Sequence, residues 1–178
     1  AMLYCEYKKD YVLAVGDLNK ATEYRPDFPE AYFWKGKSYY LGTDYKAADK
    51  ELTTFLQTDS ESIEGLVLLG AARLNSNNFS GAIKDYDKVI ELEPKNFIAL
   101  TNRGLAKGSM KNFEEAMKDL DAAIKLKFDY SPAYINRGLV KFMNKDKKGA
   151  CEDLHKADSL NNAKAYELLQ KYCKQEYR

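Results

Sequence analysis

The chain has 178 residues, 28 basic and 27 acidic side chains, and 45% hydrophobic content. That is the size of one domain with enough apolar material for a core, which excludes a disordered chain, and a net charge of +1 leaves no global field to draw nucleic acid or an anionic membrane. Ten glycines and four prolines are too few for the many turns of a β-sandwich, and no run approaches the roughly 20 apolar residues that cross a bilayer, so the expectation is an all-α chain without a membrane span.

Ala1 before Met2 reads as a cloning remnant, which leaves room for an upstream segment. No apolar block follows a basic start, so the cytoplasm is the preferred compartment, with the periplasm open if a signal was removed upstream. Residues 1–28 fit the last 28 positions of a repeated unit: part of a first helix over Met2 to Lys9, then a helix carrying Ala14, Leu18 and Ala21 that Pro26 stops. Four units of 34 residues follow without insertion, 29–62, 63–96, 97–130 and 131–164. Glycine recurs at Gly36, Gly70, Gly104 and Gly138. Alanine recurs at Ala14, Ala48, Ala82, Ala116 and Ala150, and a large residue four places later at Leu18, Leu52, Tyr86, Leu120 and Leu154.

Within each unit apolar residues return at three and four spacings in two runs, as in Leu66, Leu69, Leu74 and then Phe79, Ile83, Tyr86, Val89 and Ile90. Polar clusters separate the runs at Gly42-Thr43-Asp44, Asn75-Ser76-Asn77-Asn78 and Asn144-Lys145-Asp146, so each unit is predicted to be a helical hairpin. A helical glycine costs about 1 kcal/mol in propensity, so its recurrence implies a packing reason, read here as glycine facing alanine where the two helices cross. Pro94 stops its unit as Pro26 does, whereas Ser60, Phe128 and Asn162 stand at that place elsewhere. The tail carries one apolar stripe, Ala165, Leu168, Leu169, Tyr172 and Cys173, and residues 165–178 are predicted to form a helix that caps the last hairpin.

The glycine and alanine columns, with Leu69, Tyr39, Tyr86, Ala123, Ala157, Ala21, Pro26 and Pro94, resemble a tetratricopeptide repeat array over essentially the whole chain. The resemblance implies an α-α superhelix, a solenoid of helical hairpins forming a single domain over 1–178. Two columns depart from the family pattern. The early tryptophan is Tyr32, Leu66, Leu100 or Tyr134, and the small residue late in the second helix is Phe55 in the first full unit, which should therefore be the least regular. The stretch from Lys147 through Cys151 to Cys173 also resembles the ends of bacterial proteins of this family.

In such arrays the first helices line a concave groove. Carried over by register, this implies a peptide-binding surface of Phe33, Trp34, Lys37, Tyr40, Val67, Ala71, Ile98, Thr101, Asn102, Leu105, Ile135, Asn136, Leu139 and Phe142. The set is apolar with few charges. It lacks the basic set, combining lysine, arginine and asparagine, with which family members clamp acidic chaperone tails. Asn102 and Asn136, one repeat apart, offer donor and acceptor groups to an extended backbone, and Trp34 with Phe33 and Tyr40 forms an aromatic anchor or packs on the first helix.

Arg103 and Arg137 follow the asparagines, and acids recur at Asp17, Glu51, Asp85, Asp119 and Asp153. Arg103 can pair with Asp119 inside its unit or with Asp85 of the preceding one, and periodicity fits both. No constellation for catalysis is present. His155 is the single histidine, Gly65 and Gly70 lack a phosphate-loop lysine because Ala71 stands there, and Lys145, Lys147 and Lys148 read as a solvated turn. Cys5, Cys151 and Cys173 are expected to be reduced and buried, with a Cys151–Cys173 disulfide as the lesser option if the tail packs on the last hairpin. The sequence thus points to a scaffold that binds a protein or peptide, with no catalytic activity and no cofactor, metal or nucleic acid. The alternative is the regulatory or targeting part of a larger enzyme or secretion assembly. Partner, compartment and oligomeric state are left open.

Overall fold

The computed structural model describes residues 11–173. The expected part-helix over Met2 to Lys9, Cys5, and the end of the predicted cap beyond Cys173 lie outside the described residues. These fold as ten α-helices with no strand among them. The chain divides into two compact units that meet in sequence at Leu92 and Glu93. The first holds α1 (Tyr11–Tyr24), α2 (Pro29–Leu41), α3 (Tyr45–Leu56), α4 (Ile63–Asn75) and α5 (Phe79–Leu92). The second holds α6 (Phe97–Ser109), α7 (Phe113–Leu126), α8 (Ser131–Met143), α9 (Lys147–Ser159) and α10 (Ala163–Tyr172). Within each unit every helix packs on the next in sequence, and α6 also packs along α8.

Each hairpin turn uses one backbone device. The residue two places beyond the first helix adopts a left-handed conformation, at Thr43 (φ 65°), Asn77 (63°), Lys111 (67°) and Lys145 (66°), a spacing of 34 residues. Its N–H donates to a carbonyl three residues back, as Thr43 to Tyr40 at 3.0 Å, and the next N–H reaches five back, as Asp44 to Tyr39 at 2.9 Å. This satisfies carbonyls that the helix end would leave open. Gly42 does not supply the left-handed residue: its φ is −79°, and the β-branched Thr43 takes the unusual conformation instead. Three of the second helices then begin on side-chain caps, Asp44 accepting from Ala47 N at 3.1 Å, Asn78 from Gly81 N at 3.1 Å and Asp146 from Gly149 N at 2.9 Å, whereas Asn112 before α7 makes no such bond.

The glycine column works differently from the expected glycine-on-alanine contact. A methyl placed on Gly36, Gly70 or Gly104 would meet Leu52 at 2.5 Å, Tyr86 at 2.8 Å or Leu120 at 2.7 Å, the large residue one turn beyond the alanine. The alanine enters through its backbone, with Ala116 O 3.1 Å from the Gly104 position and Ala150 O 3.1 Å from that of Gly138. Leu52, Tyr86 and Leu120 are fully buried, so each hairpin closes by seating a large side chain directly on a glycine. The irregular first full repeat is compensated next door. Phe55, where other repeats have a smaller residue, lies against Gly65, where they have alanine, and a methyl there would be 2.8 Å from the Phe55 ring.

Candidate functional site

Ion pairs hold the two helices of each repeat together and settle the pairing that periodicity left open. Arg103 pairs inside its repeat, its Nε and Nη2 meeting the two oxygens of Asp119 at 2.8 and 2.6 Å. Arg137 grips Asp153 likewise at 2.9 and 2.6 Å, and also reaches back to Asp121 of the preceding repeat at 2.6 Å. Lys107 and Lys141 add contacts to Asp119 and Asp153 at 2.7 and 2.8 Å, and Lys35 pairs with Glu51 at 3.0 Å. In the repeat where Leu69 stands in place of the first cation, Arg73, one turn later, takes over, binding Asp85 at 2.7 Å and Asp49 of the preceding repeat at 3.1 Å. The hydrogen bonds to Asp153, which outweigh burial, hold Arg137 firmly cationic. Asp85 is different. Burial pushes its carboxyl up to about 6 despite Arg73, with Asp49 adding to the shift, and its Oδ2 has no hydrogen-bond partner among the described residues.

These pairs occupy the helix interfaces and leave the other face of the first helices with little charge. In the first unit this face carries Trp34, Lys37 and Tyr40 on α2 and Val67 and Ala71 on α4, all half-buried. Lys37 Nζ lies 4.7 Å from the Trp34 ring centre and 3.5 Å from Glu64 Oε1. Tyr40 stacks on Tyr45 at 5.6 Å, accepts from Asn75 Nδ2 at 3.5 Å, and has its hydroxyl pKa raised by burial. Trp34 is part of the α2–α4 packing: its ring meets Phe33 edge-on at 5.6 Å within the cluster that holds Phe55 and Leu69.

In the second unit Asn102 and Leu105 on α6 and Asn136 and Leu139 on α8 are half-buried, while Ile98 and Phe142 are exposed. Gly108 lets the two helices approach, because Val140 packs where its side chain would be. Neither Asn102 nor Asn136 uses its carboxamide in a hydrogen bond among the described residues. Asn75, Asn96 and Asn162, by contrast, bond Ala71 O, Glu93 and Ser131. The expected surface thus contains two open amides one repeat apart, Asn102 with Ile98 and Leu105 on α6 and Asn136 with Leu139 and Phe142 on α8.

Three of the expected groove residues are not on this surface. Phe33 and Ile135 are core residues and Thr101 is fully buried, its hydroxyl donating to Phe97 O at 2.7 Å. All three occupy the fifth place of the repeat, where Phe33 and Ile135 pack on the second helix of their own hairpin and on the helix that follows it. Only Val67 at that place is half-exposed.

The cysteine expectation is also corrected. Cys151 and Cys173 form a disulfide, with Cα atoms 5.9 Å apart, because α10 packs on α9. The same packing brings in a residue that the groove reading omitted: Tyr172 stacks on Phe142 with ring centres 4.6 Å apart. Its signal in the sequence was faint, since Tyr172 belongs to the tail, where the 34-residue register gives out. Among the described residues no cluster of histidine, cysteine and acidic side chains could hold a metal ion, no helix is long and apolar enough to cross a membrane, and His155 is exposed.

Solved structures share this architecture. The structure "MamA 41-end from Desulfovibrio magneticus RS-1" superposes with a TM-score of 0.78 at 19% identity, over 88% of this chain and 89% of that one. YrrB, described as a TPR protein with an unusual peptide-binding site, gives 0.71 at 20% identity, over 91% and 84%. The first TPR of Spaghetti (RPAP3), solved with the HSP90 peptide SRMEEVD, gives 0.56 at 29% identity, over 64% of this chain and 91% of that one. No curated protein matches the chain. Family models of the tetratricopeptide repeat match residues 30–62, 63–96 and 98–130, and with the repeated hairpins and consecutive helix packing they establish that this chain belongs to the tetratricopeptide repeat family.

Proposed function

We propose that the chain is a non-catalytic protein-interaction scaffold that binds an extended segment of a partner polypeptide across α6 and α8, with Asn102 and Asn136 reading its backbone. The observation that carries this is the pair of open carboxamides one repeat apart, flanked by Ile98, Leu105, Leu139 and Phe142. An amide donates and accepts at once, which suits the alternating N–H and C=O groups of an extended chain, and the flanking apolar side chains supply burial. The related folds of YrrB, described with an unusual peptide-binding site, and of the Spaghetti domain, solved with a bound peptide, support a polypeptide as the ligand. An acidic chaperone tail is not the favoured ligand. The arginines and lysines of the first helices are engaged with Asp119, Asp153, Asp85 and Glu51, and Lys37 already has Glu64.

The test is selection of peptides from a random library on the whole chain, followed by titration of the selected peptides against the Asn102→Ala/Asn136→Ala double variant. Losing two backbone-reading amides should weaken binding roughly 10- to 100-fold, at about 1 kcal/mol per net hydrogen bond. Affinity should change little with salt, because few charges take part. Peptides that bind the double variant equally well and dissociate steeply as salt rises would move the site to the charged second helices.

A further inference from the structure

Helix α10 is the last helix described and, at ten residues, the shortest. A helix of that length is marginal by itself. It buries one narrow stripe, Ala165, Leu169 and Cys173, against Tyr134, Ile135, Leu154 and Ala157, with Leu168 and Tyr172 half-buried beside it. Its start is held by Asn162, whose side chain accepts from Lys164 N at 3.1 Å and donates to Ser131 Oγ at 2.6 Å. Its end is held by the disulfide to Cys151, 22 residues earlier in sequence.

Helix α10 begins two residues before the 34-residue register would start it, so the place of the disulfide is compared by matching N-caps. Counted from their N-caps Ser62 and Asn162, Arg73 on α4 and Cys173 on α10 occupy the same place, eleven residues in. Asp49 and Cys151 likewise occupy the same place in the preceding hairpins, 21 residues after Phe28 and Tyr130. Where Arg73 and Asp49 join one repeat to the next through an ion pair, Cys173 and Cys151 join α10 to the last hairpin through a covalent bond. Helix α10 therefore docks on α9 through a cystine that stands near the place where, on α4, an arginine–aspartate pair stands. Both cysteines are 3% exposed, so the bond once formed is sealed from reductants in solution.

We propose that oxidation of Cys151 and Cys173 is a maturation step that this chain needs for α10 to dock, and that its working form belongs to an oxidising compartment. The chemistry is thiol–disulfide exchange. One cysteine thiolate attacks the disulfide of an oxidant of the dithiol–disulfide carrier class and forms a mixed disulfide. The second thiolate attacks the chain's sulfur in that bond and releases the carrier as a dithiol. The two cysteines lose two protons and two electrons, and the carrier, leaving as a dithiol, takes up the equivalent of both. Disulfides of this buried kind form and persist in secreted and periplasmic proteins, whereas the cytosol keeps thiols reduced. Docking also sets Tyr172 on Phe142, so the aromatic end of the α8 face is complete only in the oxidised chain.

The experiment compares the full chain made in the cytosol of an ordinary bacterial host, and kept under a reductant, with the same chain exported to the periplasm. Peptide mapping under non-reducing conditions and hydrogen exchange of residues 163–172 are read on both. The exported chain should yield a linked peptide containing Cys151 and Cys173, with α10 amides exchanging at least 100-fold more slowly than in the reduced chain while α8 and α9 stay protected in both. Reducing the unaltered chain keeps every packing atom in place, so Cys173→Ser and Cys151→Ser serve only as confirmation and should match the reduced protein. Equal α10 protection in the reduced chain, or an exported chain with all three thiols free, would overturn the proposal.

Discussion

Replacing a helical glycine by alanine should have opposite signs at different places in this chain, because the same methyl gains helix propensity everywhere and meets different surroundings. At Gly16, in the interior of α1, nothing lies within 4 Å of the added methyl, so the propensity gain of about 0.5–1 kcal/mol should appear as stabilisation. At Gly138 the methyl would meet Ala150 O at 3.1 Å and Leu154 at 3.3 Å. The carbonyl cannot yield without moving α9, and the clash should offset the propensity gain or exceed it by about 1 kcal/mol. At Gly104 it would lie 2.7 Å from Leu120 and 3.1 Å from Ala116 O, and Leu120 is fully buried with nowhere to turn. Overpacking of this kind costs roughly 1–3 kcal/mol or more, so Gly104→Ala should lose about 1–2 kcal/mol net. Urea unfolding followed by circular dichroism should therefore order the midpoints as Gly16→Ala above the parent, then Gly138→Ala, then Gly104→Ala. A Gly104→Ala protein with a midpoint at or above the parent's would mean that the large-on-glycine contact is not what closes the hairpins.

Other outcomes follow from the turns, the buried acid and the corrected core. Thr43→Gly relieves a β-branched residue at φ 65° and should raise the thermal midpoint by the equivalent of about 1 kcal/mol; an unchanged midpoint would show that the turn is not strained. Because the Asp85 carboxyl is raised from 3.8 to about 6, its contribution to stability is complete below pH 3.8 and is lost as pH rises through 6. The unfolding free energy of the parent relative to Asp85→Asn should accordingly fall by about 3 kcal/mol between pH 3.5 and pH 7, each tenfold change in proton affinity being worth about 1.4 kcal/mol, and a flat difference would contradict the burial of that carboxyl. Ile135→Glu, a surface change on the groove reading, should instead unfold the last repeats by placing a charge in the cluster with Leu154 and Leu169. A folded Ile135→Glu protein with native circular dichroism would restore Ile135 to the exposed face.

Much of the architecture was legible in one dimension because the repeat is a local code. The hairpin starts expected at 29, 63, 97 and 131 are the first residues of α2, α4, α6 and α8, since helix periodicity, turn-favouring residues and an unbroken 34-residue register all mark the same points. The polar clusters located the turns, although not that Thr43 rather than Gly42 would take the left-handed conformation; that choice depends on which carbonyls the helix end must satisfy. What the sequence withheld concerns relations between repeats. A period of 34 makes a pairing within a repeat and one between repeats arithmetically equivalent, so only packing could show that Arg103 grips Asp119 while Arg137 holds Asp153 and Asp121 together. The fifth place of each repeat lies at the border of groove and core. How closely α6 and α8 approach across Gly108 and Val140 is a property of two helices, and Ile135 is buried by Leu154 of α9 and Leu169 of α10, so neither can be read from the segment that carries the residue. The disulfide is decided in the same way. Two cysteines 22 residues apart are unremarkable until α10 docks on α9 and brings their Cα atoms to 5.9 Å, because proximity in a stacked array is set by the surface a helix buries and not by its distance along the chain.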